Sequence, residues 1–268
     1  LNIAVVLNAH ENSETFRDTL ESVRHHWTDR VLTVVDAKGW PQFEDDDSPT
    51  FKLEGFWHGK SSAPHRNMCL GLMKAWETWG ECADWVCYME YDCLVGSSDI
   101  AGVLSEADSE GAWIVGNDHR MDARRIPFLD RFLKSRAEVQ YLLGCCLFFN
   151  KSFMRVLDGQ DFFRRFLWFT NFNTDAPRLV DGSGAAEEVY DISEFMYPTL
   201  AGFYGGKVKE MACWDGVSWR GDAVRFPMRF RPDLVERSYE GSCVLHPMKD
   251  FANPVRSYHR TKRKLTFG

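Results

Sequence analysis

Ile3-Ala4-Val5-Val6-Leu7 and Val31-Leu32-Thr33-Val34-Val35 are short, β-branched apolar runs with almost no polar alternation. Runs of this kind belong to strands covered on both faces, as in a sheet sandwiched between helices. Between them Phe16, Leu20, Val23 and Trp27 recur at i, i+4, i+7 and i+11, the stripe of an amphipathic helix. Asn12 or Ser13 offers the side-chain oxygen that caps such a helix. Strand, helix and strand at this spacing form a βαβ unit with a right-handed crossover. The chain is therefore expected to be α/β, with a mostly parallel, Rossmann-like central sheet flanked by helices.

The next segment, 39–50, is polar, and its acidic run Glu44-Asp45-Asp46-Asp47 reads as solvated surface. A third strand is expected near Phe51–Phe56. Gly59-Lys60-Ser61-Ser62-Ala63-Pro64-His65-Arg66-Asn67 then introduces a helix whose apolar face is Cys69, Leu72, Met73, Trp76 and Trp79. Arg66 and Asn67 fall in its first turn, where the helix dipole disfavours a purely structural cation. An anionic ligand or a buried carboxylate explains an arginine there. Trp85-Val86-Cys87-Tyr88-Met89-Glu90-Tyr91-Asp92 begins as a buried strand and ends with acids at alternate positions. Alternate residues on an extended chain face one side, so Glu90 and Asp92 can address one site. Such a pair at the carboxyl end of a strand can hold a hard cation, Mn²⁺ or Mg²⁺, that also takes substrate phosphates. The competing reading is a strand that simply runs out into a polar loop.

The second half is less regular. Ala112–Val115 and Cys145–Phe149 read as strands separated by a charged stretch with Arg120, Arg124, Arg125 and Arg131. Phe162–Phe172 is crowded with aromatics around Arg164 and Arg165, as a core element or pocket wall would be. Glu187–Ala201 is expected to be a helix interrupted by Pro198, and Val208–Cys213 a returning strand. Trp214 and Trp219 sit in loops of the kind that contact sugars or flat rings. Val244-Leu245-His246-Pro247 is a short strand ending in a histidine, and the basic stretch after Val255 is expected to be a mobile tail.

Bulk properties exclude several classes. Of the 268 residues 44% are apolar, with ten Trp and twenty Phe, so a sizeable core is expected. A net charge of −7 argues against nucleic-acid binding and repels phosphate-bearing substrates unless a cation is bound locally. The eight cysteines form no Cys-x-x-Cys pair and read as reduced thiols of a cytoplasmic protein. No apolar run reaches the ~18–20 residues that span a bilayer, and peripheral membrane contact stays open. The chain starts at Leu1 rather than Met, which leaves a removed leader, an anchor or a neighbouring domain open.

Taken in order from Ile3 to Lys249, these landmarks resemble the GT-A glycosyltransferases, most closely the inverting family 2 group. Asn8-Ala9-His10-Glu11-Asn12 resembles that family's first strand and donor-binding turn. Asp36 stands where the family hydrogen-bonds the donor's base. Gly59, Lys60 and Arg66-Asn67 on to Gly71 are similar to its segment beneath the nucleotide, and Glu90-Tyr91-Asp92 takes the place of its Asp-x-Asp metal motif. Gly144 to Phe153 resembles the strand and turn shaping the acceptor side. Counting back from Gly205-Gly206-Lys207-Val208, the family's catalytic base falls on Glu194, with Asp191 one turn earlier. His246-Pro247-Met248-Lys249 looks like the late histidine that completes the metal site in some GT-A enzymes.

The resemblance implies a single catalytic domain over 1–250, nucleotide-binding through 95 and acceptor-side from 96, followed by the basic segment 251–268. It implies a nucleoside-diphosphate sugar donor (UDP, GDP or dTDP) and a glycan or lipid-linked acceptor, with Trp214 and Trp219 on the acceptor side. Asp92 and His246 would bind the metal and Glu90 would bind it or the donor, beside Tyr91. Two departures stand out: the first acid of the metal motif is Glu, and Ser193-Glu194 replaces the usual Glu-Asp pair. The choice between Glu194 and Asp191 therefore stays open. The Gln-x-x-Arg-Trp motif of processive synthases is absent, which implies transfer of one sugar. A sugar-phosphate nucleotidyltransferase and a non-catalytic carbohydrate-binding domain are the alternatives. The first turn lacks the glycines that a nucleotidyltransferase typically uses.

Overall fold

A computed structural model describes residues 1–10, 12–35, 43, 47–52, 63–172, 178–187, 192–210, 212–214, 217–218, 224–225 and 243–266. The expected βαβ unit is present as β1 (Ile3–Ala9), α1 (Ser13–His26) and β2 (Val31–Val35). Asn12 caps α1, its side chain accepting from the Thr15 N–H at 3.1 Å. β3 (Thr50–Lys52), α2 (Ala63–Trp79) and β4 (Trp85–Glu90) follow. Glu90 thus closes β4, and a turn through Tyr91 and Asp92 leads to the short β5 (Leu94–Val95).

Downstream lie α3 (Ile100–Ser109), β6 (Ala112–Asp122), α4 (Pro127–Leu133), β7 (Val139–Asn150), α5 (Lys151–Gly159) and α6 (Phe162–Phe172). A small hairpin, β8 (Leu179–Val180) and β9 (Ala186–Glu187), precedes α7 (Ser193–Phe203) and β10 (Lys207–Glu210). The helix expected from Glu187 therefore starts later. Pro198 lies inside it rather than interrupting it. The expected strand at Val208–Cys213 is divided between β10 and β11 (Ala212–Trp214), with β12 (Val217–Ser218), β13 (Val224–Arg225) and β14 (Val244–Leu245) beyond.

The principal sheet has the order β10-β6-β7-β4-β1-β2-β3. All of its pairings are parallel except the two made by β7. From β1 the chain moves outward to β2 and β3, then returns to lay β4 on the opposite side of β1. The boundary between β1 and β4 is therefore a topological switch point, where open α/β sheets keep their ligands outside the carboxyl ends of the strands.

The unbroken apolar strands follow from helices covering both faces. Val6, Val86 and Tyr88 face one core with α2, α5, α6 and α7. Val5, Leu7, Cys87 and Met89 face the other with α1 and α3. Gly71 lets α2 close onto the sheet, since a Cβ there would lie 2.2 Å from Val6 Cγ1. Phe162, Phe163 and Phe166 of α6 are buried, in line with the expected core role, while Trp168 is 64% exposed. Among the described residues, no helix is long and apolar enough to cross a membrane.

The second sheet, β12-β11-β13-β14-β5, places β14 antiparallel to β5, with Val244 opposite Val95 and Leu245 opposite Leu94. The expected mobile tail is instead a helix, α8 (Pro254–Leu265), opened by Pro254 after the capping Asn253. The reason is buried charge. Arg256 is 0% exposed and ion-pairs with Asp18 of α1 at 2.7 Å, and Arg263 pairs with the same carboxylate.

Candidate active site

Residues 90 and 92 leave β4 at the switch point, and the β5–β14 pairing carries the chain after Leu245 back beside them. His246 Nε2 consequently lies 3.4 Å from Glu90 Oε2 and 3.2 Å from Asp92 Oδ1. The Met248 N–H donates to the Asp92 carbonyl at 2.7 Å and fixes the two loops to each other. One ligand atom from each of Glu90, Asp92 and His246 falls within 4.8 Å of the others, which makes a compact three-residue cluster. Asp92 is almost wholly buried and Glu90 is partly open to solvent.

In this cluster the charges of the two acids and of His246 favour one another. Burial pushes the Asp92 carboxyl up, but the contact with His246 and its charge, with help from Lys249, outweigh it and hold Asp92 below its usual value. Burial alone would lower His246. Its contacts with Asp92 and Glu90 prevail and raise it to about 11. Asp92 Oδ1 is buried and faces His246 Nε2 at 3.2 Å. A divalent cation bound there would take the place of the His246 proton between the two carboxylates. Two carboxylates and an imidazole suit Mn²⁺, and the oxygen donors also suit Mg²⁺. The donor set therefore fits a divalent cation.

Asn8, at the carboxyl end of β1, is paired in register with Glu90, and its carbonyl accepts from the Tyr91 N–H at 2.9 Å. Its buried side chain accepts from Asn67 Nδ2 in the first part of α2 at 3.4 Å. Arg66, beside Asn67, is 5% exposed. Ala9 is buried at the end of β1, and the exposed His10 meets the buried Tyr91 ring edge-on at 4.7 Å. The contacts between Asn8 and Tyr91, His10 and Tyr91, and His246 with Glu90 and Asp92 thus gather at the carboxyl ends of β1 and β4.

Glu194 lies in the first turn of α7, where the helix dipole favours an acid. Its Oε1 accepts from the Gly144 N–H of β7 at 2.7 Å. Because β7 runs antiparallel to β4, with Cys146 opposite Met89, Gly144 lies at the same sheet edge as Glu90. The intervening Cys145 thiol is pushed up by burial, by Cys93 and Cys146, and by the charge of Glu90. Tyr141, one strand repeat before Leu143, is raised by burial and by the negative charges of Glu194 and Asp118. The Arg120 guanidinium lies 4.3 Å over the Tyr141 ring. The site edge therefore carries two separate acidic centres, Glu90–Asp92 and Glu194.

Glu11, Asp36, Lys60, Asp191 and Trp219 lie outside the described residues, and Trp214 is described only as a residue of β11. The cysteines whose side chains are described are free thiols. Sequence reasoning missed the Gly144 amide as the anchor of Glu194, and missed Tyr141 and Arg120 beside it. The glycine of Gly144-Cys145-Cys146 within β7 is the one signal for the first, since a small residue admits close approach by another side chain. The cation–π pair has no local sequence signal.

No protein-family model and no curated protein matches the chain. Among solved structures it is similar to a glycosyltransferase involved in the glycosylation of the major capsid of PBCV-1. That match has 11% identity and a TM-score of 0.47, and covers 99% of this chain and 100% of that one. It is also similar to an active-site mutant of LgtC, at 13% identity and a TM-score of 0.42, covering 98% and 95% of the two chains. A third similarity is to the mannosyltransferase PcManGT from Pyrobaculum calidifontis in complex with GDP-Man and Mn²⁺. There the identity is 15% and the TM-score 0.35, covering 65% of this chain and 48% of that one.

Proposed function

We propose that this chain is a nucleotide-sugar-dependent glycosyltransferase of the GT-A type that transfers one sugar to an acceptor hydroxyl with inversion. The observation that carries the reading is the cluster of Glu90, Asp92 and His246 at the switch point between β1 and β4. A divalent cation held there supplies the positive charge that a departing nucleoside diphosphate needs. Asp92 and His246 are its principal protein ligands, and Glu90, the more open of the two acids, is the third or holds the donor. Asn8, Ala9, His10, Tyr91 and Arg66 line the donor side, with Glu11, Asp36 and Lys60 as further donor-binding residues.

Glu194 is assigned as the base, with Asp191 as the alternative acid. The acceptor oxygen attacks the anomeric carbon as the bond from that carbon to the diphosphate oxygen breaks. The acceptor's proton passes to the Glu194 carboxylate. The Gly144 N–H on Oε1 keeps that carboxylate oriented. A single displacement of this kind inverts the anomeric configuration. Trp214 and Trp219 are assigned to the acceptor side.

The test is incubation of the chain with Mn²⁺ and a panel of nucleoside-diphosphate sugars, following nucleoside diphosphate release and product configuration by NMR. The reading expects metal-dependent release from at least one donor, abolished by Asp92→Ala, and an inverted product. Turnover of nucleoside triphosphates with sugar phosphates instead would identify a nucleotidyltransferase. Stabilisation by carbohydrate with no turnover of any donor would identify a binding domain.

A further inference from the structure

Among the arginines that tie α8 to Asp18, Arg256 also reaches backbone that the proposed chemistry does not use. Arg256 Nε donates to the Met248 carbonyl at 2.7 Å, and Nη1 to Asp18 Oδ2 at 2.7 Å. Its Nη2 donates to the Cys93 carbonyl at 2.9 Å and to Thr19 Oγ1 at 3.1 Å. Thr19 Oγ1 in turn reaches the Tyr91 carbonyl at 2.6 Å and the Cys93 carbonyl. The two backbone carbonyls gripped by Arg256 belong to the two cluster loops: Cys93 follows Asp92 directly, and Met248 stands two residues after His246. The same loops are joined by the Met248 N–H donating to the Asp92 carbonyl. From α1, Asn12 Nδ2 and Thr15 Oγ1 both donate to the Lys249 carbonyl, at 3.2 and 2.9 Å.

We infer that Arg256, held by Asp18 of α1, is a positioning residue that sets the separation of Asp92 and His246. α8 is thereby part of the cation site although it contributes no ligand. Five N–H donors in one rigid plane can serve carbonyls on two loops and a carboxylate on a helix at once. A lysine has the charge but not the fork, and cannot hold all of these partners in one geometry. The identity of the clustered residues as metal ligands rests on the function proposed above. The clamp itself rests only on the hydrogen bonds.

The test compares Arg256→Lys with the wild type in two independent readings. Amide hydrogen exchange at Met248 reports the link between the loops without any metal. Mn²⁺ binding, followed by the EPR signal of the free ion, reports the geometry of the ligands. The expected result is at least a tenfold acceleration of Met248 exchange with β1 amides unchanged, and at least a tenfold weaker Mn²⁺ affinity. Phe153→Leu, a core truncation on α5 away from both loops, serves as a comparably destabilised control and is expected to alter neither reading. Thr19→Val provides a second, isosteric route to the clamp should Arg256→Lys fail to fold, and is expected to move Met248 exchange in the same direction. Wild-type exchange at Met248 in the folded clamp variant would overturn the inference. A wild type that binds no Mn²⁺ would overturn the metal reading alone, while the exchange comparison would still decide the clamp.

Discussion

Glu194→Gln separates the chemistry from the scaffold more cleanly than any other single change. The wild-type carboxylate accepts the Gly144 N–H through Oε1 at 2.7 Å. A glutamine of nearly the same shape can present its carbonyl oxygen to that amide, so the contact is retained in neutral form. Exchanging a charged acceptor for a neutral one at a half-buried position changes stability by ~1 kcal/mol. The amide cannot accept a proton from an acceptor hydroxyl, and loss of general-base help costs ~10²–10⁴ in rate. That corresponds to about 3–5 kcal/mol added to the barrier. The assay is donor turnover, measured alongside donor affinity and the urea midpoint. The expected outcome is turnover down by at least a hundredfold, with donor affinity and midpoint close to wild type. Turnover within about threefold of wild type, a difference of under ~1 kcal/mol in the barrier, would refute the assignment. A dead Asp191→Asn alongside an active Glu194→Gln would move the base to Asp191.

Two further perturbations concern the His246 proton and the seat of α2 on the sheet. Mn²⁺ affinity should rise with pH, because His246 carries a proton in the metal-free protein up to about pH 11 and must lose it to bind a metal. Between pH 6 and 9 the apparent affinity should climb toward ~tenfold per unit, one proton being displaced per ion, and a flat titration would remove His246 from the ligand set. In the metal-free protein the sign for stability is the opposite. The raised His246 contributes stability below its unfolded value near 6.5 and loses it as pH rises through about 11. Gly71→Ala drives a methyl to 2.2 Å from Val6 Cγ1 and 3.2 Å from Val34 Cγ1. It should cost ~1–3 kcal/mol in urea unfolding, and a neutral effect would mean that α2 moves off β1 more readily than its packing implies.

The parts of the fold that are legible in the sequence are those whose signal is local. The runs Ile3–Leu7 and Val31–Val35, the stripe Phe16–Val23 and the acids at the end of β4 announce themselves by period and chemistry. The β5–β14 pairing that returns His246 to Asp92 depends on contacts some 150 positions apart in sequence, and only the family resemblance anticipates it. α8 reads as a tail because arginine- and lysine-rich stretches are usually solvated. Its two buried arginines answer to Asp18, a lone acid on the inner face of α1 that has no sequence neighbour to betray its role. The continuation of α7 through Pro198 is hidden for a related reason. Breaking propensity is local, while the burial of Phe195, Met196, Tyr197 and Leu200 that sustains the helix is tertiary.

In the function proposed above, Glu90, Asp92 and His246 form one cation site for a nucleoside diphosphate. Calorimetric titration of Mn²⁺ into the wild type, Asp92→Ala and His246→Ala, each with and without a nucleoside diphosphate, tests it most directly. The expected result is one ion per wild-type chain, tighter binding when the diphosphate is present, and affinity lost with Asp92→Ala and weakened with His246→Ala. Equal Mn²⁺ binding by all three folded proteins, or none by the wild type, would contradict it.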